Sequence, residues 1–154
     1  MRLIASLLPA SHVLVDSPAA DRRAVFEEVA LLLEGKTGVK RGLILDSLLA
    51  RERLGSTGLG QGIAIPHGRV RGLREAVGAF VRTRDPIEFE APDERPVSLI
   101  FVLLVPEKST DLHLEILGEL AQMFSNRELR AKLAAAPDSL DVQRLIAGWD
   151  AKPA

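Results

Sequence analysis

The sequence contains no cysteine, no tyrosine and a single tryptophan among its 154 residues, and only 4% of its residues are aromatic. Without cysteine, the chain can form no disulfide, bind no metal through thiolates and use no cysteine nucleophile. It also lacks an excess of charge of either sign, since 20 Lys and Arg residues stand against 21 Asp and Glu residues. Nucleic-acid-binding proteins usually carry a basic face with interleaved aromatic residues, so we expect no nucleic-acid partner.

Long apolar runs are missing as well. The longest, from Val97 to Val105, has nine residues and includes Ser98, whereas a membrane-spanning helix needs roughly 20. The apolar stretch between Arg2 and Pro9 is too short for the core of a signal peptide. We therefore expect a cytoplasmic protein with no membrane insertion.

What is present is the composition of an ordinary globular domain, with 47% hydrophobic and 27% charged residues. The length predicts one domain over residues 1–154, with a frayed tail at about 150–154. Periodicity and capping residues predict helices from Ser17-Pro18 to about Glu34 with Gly35 as the stop, and over about 40–51, 111–126, 128–135 and from 139, with Ser109 or Thr110 capping the third. Strands are predicted at 12–15, 63–65, 75–83 and 97–105, the last of them central and covered on both faces. This order of elements predicts a layered α/β fold.

Residues 55–72 differ from the rest because they hold six of the twelve glycines. Within them, Pro66 fixes one backbone angle and Gly68 allows close approach of a ligand, so we expect His67 to be held rigidly at the end of a short strand, with one face open. The preceding run from Leu54 to Gly62 can expose successive backbone N–H groups to an anion. From these residues alone, a tight turn with an incidental histidine is the alternative.

The other two histidines are His12 and His113. His113 falls within the apolar arc of its predicted helix, so it should point towards the sheet. It lies in the first turn, where the helix dipole attracts anions and disfavours an imidazolium. A core histidine bonded to a backbone carbonyl is the alternative there. His12 has no such context and is predicted to lie on the surface.

Arginines flank the glycine-rich segment on both sides. Because arginine binds phosphate through two N–H groups, one or two of them are expected to contact an anion near His67. A metal site on the histidines would lack the usual neighbouring carboxylates, and a serine hydrolase would need a G-x-S-x-G turn that is absent. The arginines concerned are Arg51, Arg53, Arg69 and Arg71.

The segment from Arg51 to Gly68 reads R-E-R-L-G-S-T-G-L-G-Q-G-I-A-I-P-H-G. It closely resembles the signature of enzyme IIA proteins of the bacterial phosphotransferase system, mannitol/fructose class. Its G-S-T-G-x-G-x-G-I-A-I-P-H-G form is most similar to the nitrogen-related branch. The resemblance extends over essentially the whole chain, with comparable segments at Ala76 to Gly78, Pro86 to Phe89, Pro96 to Pro106 and His113-Leu114.

This resemblance implies a compact α/β domain, a mixed sheet flanked by helices on both faces, and a phosphohistidine intermediate. The family's phosphoryl acceptor matches His67, its second active-site histidine matches His113, and its arginine matches Arg51. No metal or cofactor is implied. The sequence does not say which of the other three arginines touches phosphate or a partner. The positions expected to bind or support the phosphate are Ser56, Thr57 and Gly68.

Two functions follow from the resemblance. The G-S-T-G form favours a regulatory phosphocarrier, which takes its phosphoryl group from an HPr-like carrier and acts on target proteins such as transporters or kinases. The alternative is a sugar-specific IIA component that passes phosphate to a separate IIB domain. A metal hydrolase built on His67 and His113 is a third class, which bound zinc would reveal. Leu59 either faces outward, where it could contact the carrier, or belongs to the core. The identity of the targets and the oligomeric state stay open.

Overall fold

The computed structural model describes residues 2–109 and 111–149, and the side chains of all of these except residues 2 and 3. None of the described helices is long and apolar enough to cross a membrane. The helices are α1 (Arg2–Leu7), α2 (Arg22–Thr37), α3 (Arg41–Arg53), α4 (Asp111–Phe124), α5 (Arg127–Ala135) and α6 (Ser139–Ala147). The strands are β1 (Val13–Ser17), β2 (Gly58–Gly60), β3 (Ile63–Ala64), β4 (His67–Val70), β5 (Val77–Ile87) and β6 (Val97–Pro106).

The strands form one open, mixed sheet in the order β1–β5–β6–β3–β2, and β4 pairs with β6 further along the same edge as β3. Strand β6 is antiparallel to β5 and parallel to β3 and β4. Its almost continuous apolar sequence fits this central position, because both of its faces are buried. Pairing of β4 with β6 sets His67 opposite Leu103.

Side chains of β6 alternate between two hydrophobic cores. Phe101 and Leu103 pack with residues of α1, α4, α5 and α6, whereas Ile100 and Val102 pack with residues of α2 and α3. Helices therefore cover both faces of the sheet. This confirms the predicted α/β fold and its mixed, doubly covered sheet.

Both predicted ends of α2 are wrong. Ser17 ends β1, where its hydroxyl donates to the carboxylate of Glu28 (2.6 Å) and accepts the N–H of Ala19 (3.2 Å), but the helix begins only at Arg22. Asp21 caps the helix instead, by accepting a backbone N–H of the first turn. Gly35 lies inside the helix, and the chain leaves it at Gly38, which has a left-handed backbone (φ 78°).

The prediction for His12 is also wrong. His12 is 7% exposed and closes a short 3-10 turn, with its Nδ1 2.9 Å from the carbonyl oxygen of Gly78 in β5. A turn of three residues has no periodicity from which burial could be inferred. The contact depends on where β5 runs, 66 residues further along the chain.

The remaining predicted helices and strands are present, with ends that shift by a few residues, and α1, β2 and β4 are additional. His67 does not end the strand at 63–65 but opens β4. The predicted frayed tail at 150–154 and the possible cap Thr110 lie outside the described residues.

Candidate active site

The ring of His67 is held at both nitrogens. Its Nδ1 lies 3.0 Å from the carbonyl oxygen of Ile65, and its Nε2 lies 3.3 Å from Nε of Arg51. A carbonyl can only accept a hydrogen bond and a guanidinium can only donate one. The proton is therefore on Nδ1, and Nε2 carries a lone pair beside a cation.

Arg51 is in the last turn of α3, in the R-E-R sequence that precedes the glycine-rich loop. Its Nη1 donates to the carbonyl oxygen of Gly55 (2.9 Å), while its Nε points at His67. The guanidinium is thus fixed by the loop and by the histidine together. Its charge lies where an anion attached to Nε2 would need compensation.

His113 is in the first turn of α4 and only 8% exposed, as its position in the apolar arc predicts. Its ring lies edge-to-face against that of His67, with 5.2 Å between the ring centroids and 83° between the ring planes. Its Nδ1 is buried and has no hydrogen-bond partner among the described residues. Nδ1 of His113 is therefore not hydrogen-bonded to any backbone carbonyl of the described chain, as the alternative of a core histidine would require.

The surroundings of both histidines favour the neutral imidazole. Burial lowers the pKa of His67, and Arg51 lowers it further, against the opposing effects of the Ile65 carbonyl and Glu52. Burial also lowers the pKa of His113, with additional contributions from His67 and Arg69. Because the ordinary pKa of histidine is about 6.5, the site holds two neutral imidazoles at neutral pH.

The hydroxyls of Ser56 and Thr57 are bonded within the loop. Ser56 donates to the carbonyl oxygen of Phe89 and accepts the N–H of Gly58 (3.0 Å), and Thr57 donates to the carboxylate of Glu52. The structure thus gives both residues partners that hold the loop. A direct contact with phosphate stays a prediction.

Gly68 follows His67 in β4 and brings that strand against α3. A Cβ at this position would overlap Oγ of Ser47, whose hydroxyl donates to the carbonyl oxygen of Arg69 (2.8 Å). Glycine is required by this close approach. It allows the helix that carries Arg51 to pack directly on the strand that carries His67.

Of the flanking arginines, only Arg51 hydrogen-bonds to a histidine of the site. Arg69 is exposed but near enough to lower the pKa of His113, and Arg71 pairs with Glu107 on the surface (3.7 Å). Within residues 2–109 and 111–149, no group of three or more His, Asp or Glu side chains could hold a metal ion.

Sequence reasoning gave no role to Glu52, which the structure buries behind the loop. Its side chain is 7% exposed and pairs with Arg22 (3.0 Å) in addition to Thr57. The sequence signal that could have indicated Glu52 is its position. It lies between two arginines at a helix end and precedes a loop that contains Ser and Thr.

Comparisons with known proteins identify the family of the chain. The chain matches the family described as "Phosphoenolpyruvate-dependent sugar phosphotransferase system, EIIA 2" over residues 6–148. A nitrogen regulatory protein of Pseudomonas aeruginosa is 38% identical over 141 residues, which make up 91% of this chain and 92% of that protein. A fructose-specific EIIA component from Haloferax volcanii is 32% identical, with 94% of each protein covered.

The fold is similar to solved structures over the same extent. The crystal structure of the nitrogen regulatory protein IIA-Ntr from Neisseria meningitidis is 48% identical and has a TM-score of 0.89, with 94% of this chain and 99% of that chain covered. Sequence and fold thus agree over more than nine-tenths of the chain. The chain belongs to the EIIA 2 family of the phosphoenolpyruvate-dependent sugar phosphotransferase system, within its nitrogen-related branch.

Proposed function

We propose that this chain is a phosphocarrier of the nitrogen-related phosphotransferase system. It accepts a phosphoryl group on His67 from an HPr-like carrier in the cytoplasm, and its phosphorylation state regulates target proteins. The observation that carries the proposal is the His67 ring, whose Nδ1 is bonded to the Ile65 carbonyl so that Nε2 keeps its lone pair. A family role in phosphotransfer supports the same conclusion.

The transfer is a displacement at phosphorus. The lone pair on Nε2 of His67 forms the new N–P bond while the N–P bond to the carrier's phosphohistidine breaks, and that electron pair stays on the carrier's imidazole. The proton on Nδ1 of His67 does not move. The carbonyl of Ile65 stabilises the positive charge that the ring gains, because it accepts the Nδ1–H bond.

The other site residues hold the phosphoryl oxygens. Arg51 donates to Nε2 in the unphosphorylated protein, and the incoming group would take over this donor through one of its oxygens. His113 is neutral, and its ring lies against that of His67. Phosphoryl transfer depends mainly on such positioning and charge stabilisation, and these side chains would supply both.

Regulation follows from the charge that the group brings. A phosphoryl group adds close to two negative charges and several strong acceptors. Exposed leucines lie next to site residues in the sequence, and a target that binds them would meet a different charge after transfer. They are Leu54, Leu112 and Leu114.

The acceptance step is tested by incubating the protein with phosphoenolpyruvate, enzyme I and the HPr-like carrier, followed by intact-mass analysis. We expect one acid-labile, alkali-stable phosphoryl group. His67→Ala should remove it and keep the fold, since the ring is only half-buried, whereas His12→Gln should retain it. Undiminished phosphorylation of His67→Ala would overturn the assignment.

A sugar-specific IIA component is the second candidate. It is favoured by the 32% identity to the fructose-specific component of Haloferax volcanii over 94% of both chains. Phosphorylated protein should then transfer its group rapidly to a IIB domain. Absence of transfer to a panel of IIB domains, together with phosphorylation-dependent binding of a target protein, would favour the regulatory role.

A further inference from the structure

The carboxylate of Glu52 is buried at the end of α3, and both of its oxygens accept hydrogen bonds. One oxygen accepts from the hydroxyl of Thr57, and the other accepts from its backbone N–H (3.4 Å) and from Nη1 of Arg22 (3.0 Å). A carboxylate removed from water costs free energy unless it is paired. Its partners therefore fix its position firmly.

A chain of hydrogen bonds leads from this carboxylate to the reacting histidine. The carbonyl oxygen of Thr57 accepts the N–H of Ile65 (3.0 Å), and the carbonyl oxygen of Ile65 faces Nδ1 of His67 (3.0 Å). Glu52 holds Thr57, the first residue of this chain of hydrogen bonds, through both its side-chain hydroxyl and its backbone N–H. The group that fixes the His67 tautomer therefore depends on Thr57, and Thr57 depends on Glu52.

A second set of hydrogen bonds leads from the same loop to Nε2 of His67. The carbonyl oxygen of Gly55 accepts from Nη1 of Arg51, and Nε of Arg51 points at Nε2 of His67. Gly55 and Thr57 belong to one short loop, so holding Thr57 also holds the carbonyl that aims Arg51. This loop therefore bonds to Arg51, the partner of Nε2, and to Ile65, the partner of Nδ1.

The loop is anchored from behind by α2 and the segment after β5. Arg22 reaches from the start of α2 to Glu52, and its guanidinium also lies over the ring of Phe89, 5.7 Å from the centroid. The carbonyl oxygen of Phe89 accepts from Ser56 in the loop and from Arg22 (3.4 Å). Glu52 is the point where this anchor meets the loop.

We propose that Glu52 is a positioning residue for His67, which acts through Thr57 and the loop at 55–57 to fix the tautomer of the ring and the aim of Arg51. This inference rests on the proposed phosphoryl acceptance at His67. The hydrogen-bond partners of the Glu52 side chain are Thr57 and Arg22, so its proposed effect on His67 is indirect.

The test is Glu52→Gln, which keeps the shape of the side chain but removes its charge and replaces one of its two acceptor oxygens by an NH2 donor, so that it can no longer accept from the Thr57 hydroxyl and from the N–H groups together. Phosphoryl acceptance should slow on the order of 10²-fold, as small displacements from a reactive geometry do. The loss should be equal with the HPr-like carrier and with phosphoramidate, because the site rather than the docking surface is altered.

Ring ¹⁵N chemical shifts of His67 give a readout that a purely stabilising role would not move. Wild type should show the Nδ1–H tautomer alone, and Glu52→Gln should show a second population protonated at Nε2. Glu90→Gln is the matched control, since Glu90 pairs with the other nitrogen of Arg22 (3.3 Å) but is exposed. It should leave both the rate and the tautomer unchanged.

Thr57→Val is measured alongside. It removes the hydroxyl that donates to Glu52 but keeps the backbone N–H contact and the carboxylate, so it remains informative if Glu52→Gln fails to fold. It should cause the same tautomer change and a smaller loss of rate. A wild-type rate and a single tautomer in whichever of the two variants folds would overturn the inference. If wild type takes up no phosphoryl group, the proposed function fails, and the tautomer comparison still decides the role of Glu52.

Discussion

At the scale of single residues, the ring of His67 lies between a guanidinium from the end of α3 and an imidazole from the start of α4. The two neighbours differ in chemistry. Arg51 brings a permanent charge that the loop holds in place, whereas His113 brings a neutral ring whose Nδ1 is unpartnered among the described residues. In the proposed reaction, neither of these side chains is the nucleophile. Loss of either should therefore slow phosphoryl transfer without preventing it.

Arg51→Ala and His113→Ala should therefore still accept phosphate, but more slowly. Removing one donor that stabilises transferring charge typically costs on the order of 10²–10³ in rate. Single-turnover transfer from the phosphorylated carrier measures this directly. Arg71→Ala, which removes an exposed arginine paired with Glu107, serves as the control. Wild-type rates in both active-site variants would mean that these groups do not contact the phosphoryl group.

The residues of the site were predictable to different degrees. The position of His67 between Pro66 and Gly68, and of His113 in an apolar helical arc, is local information that a sequence carries. The R-E-R sequence at a helix end draws attention to Glu52, but its ion pair could not be predicted from it, because the partner Arg22 is 30 residues away and their approach depends on how α2 packs on α3. A buried ion pair of this kind has no periodicity.

At the scale of secondary structure elements, the edge strand β2 presents Leu59 outwards, with 48% of the residue exposed. The alternative that it belongs to the core is therefore excluded. The proposed transfer requires the carrier's phosphohistidine to come within reach of His67, and short-lived complexes of this kind bury a small interface with an apolar centre. Leu59 is available for such an interface.

Leu59→Asp should slow acceptance from the HPr-like carrier without lowering the thermal stability of the protein. Reaction with phosphoramidate, which needs no docking surface, should be nearly unchanged. Leu31→Asp is a matched control, because Leu31 is similarly exposed (55%) but lies in the middle of α2. Equal losses with both donors in Leu59→Asp would show damage to the loop, and the docking role would be wrong.

Elements with a long regular pattern were predicted well, and those fixed by distant contacts were not. Strand β6 is evident from its continuous apolar sequence, and α4 from its apolar arc. The start of α2 was predicted wrongly because Ser17 is a good cap by residue type, but the helix begins five residues later, and the Ser17 hydroxyl donates to Glu28 within that helix. Strand β4 was missed because a four-residue strand containing glycine has no alternation to detect.

At the scale of the whole molecule, all three histidines have a lowered pKa, although they lie in two different places. Burial is the main cause for each of them. His12 lies under β5, where Gly78 occupies the position opposite Leu103, the same residue that His67 faces from β4. The fold therefore holds every histidine of the sequence in a setting that disfavours its protonation.

This predicts how stability depends on pH. In the unfolded chain the histidines titrate near their ordinary pKa of about 6.5, and in the folded protein they titrate lower. Between these values the unfolded chain binds more protons, so the free energy of unfolding decreases as pH falls below about 6.5 and levels off below the folded pKa values.

Thermal unfolding between about pH 7.5 and 5.5, above the range where carboxylates titrate, should show Tm falling at the acidic end. His12→Gln should lose part of this slope and keep the part due to the active site. A Tm that does not change across this range would show that the folded histidines titrate like exposed ones.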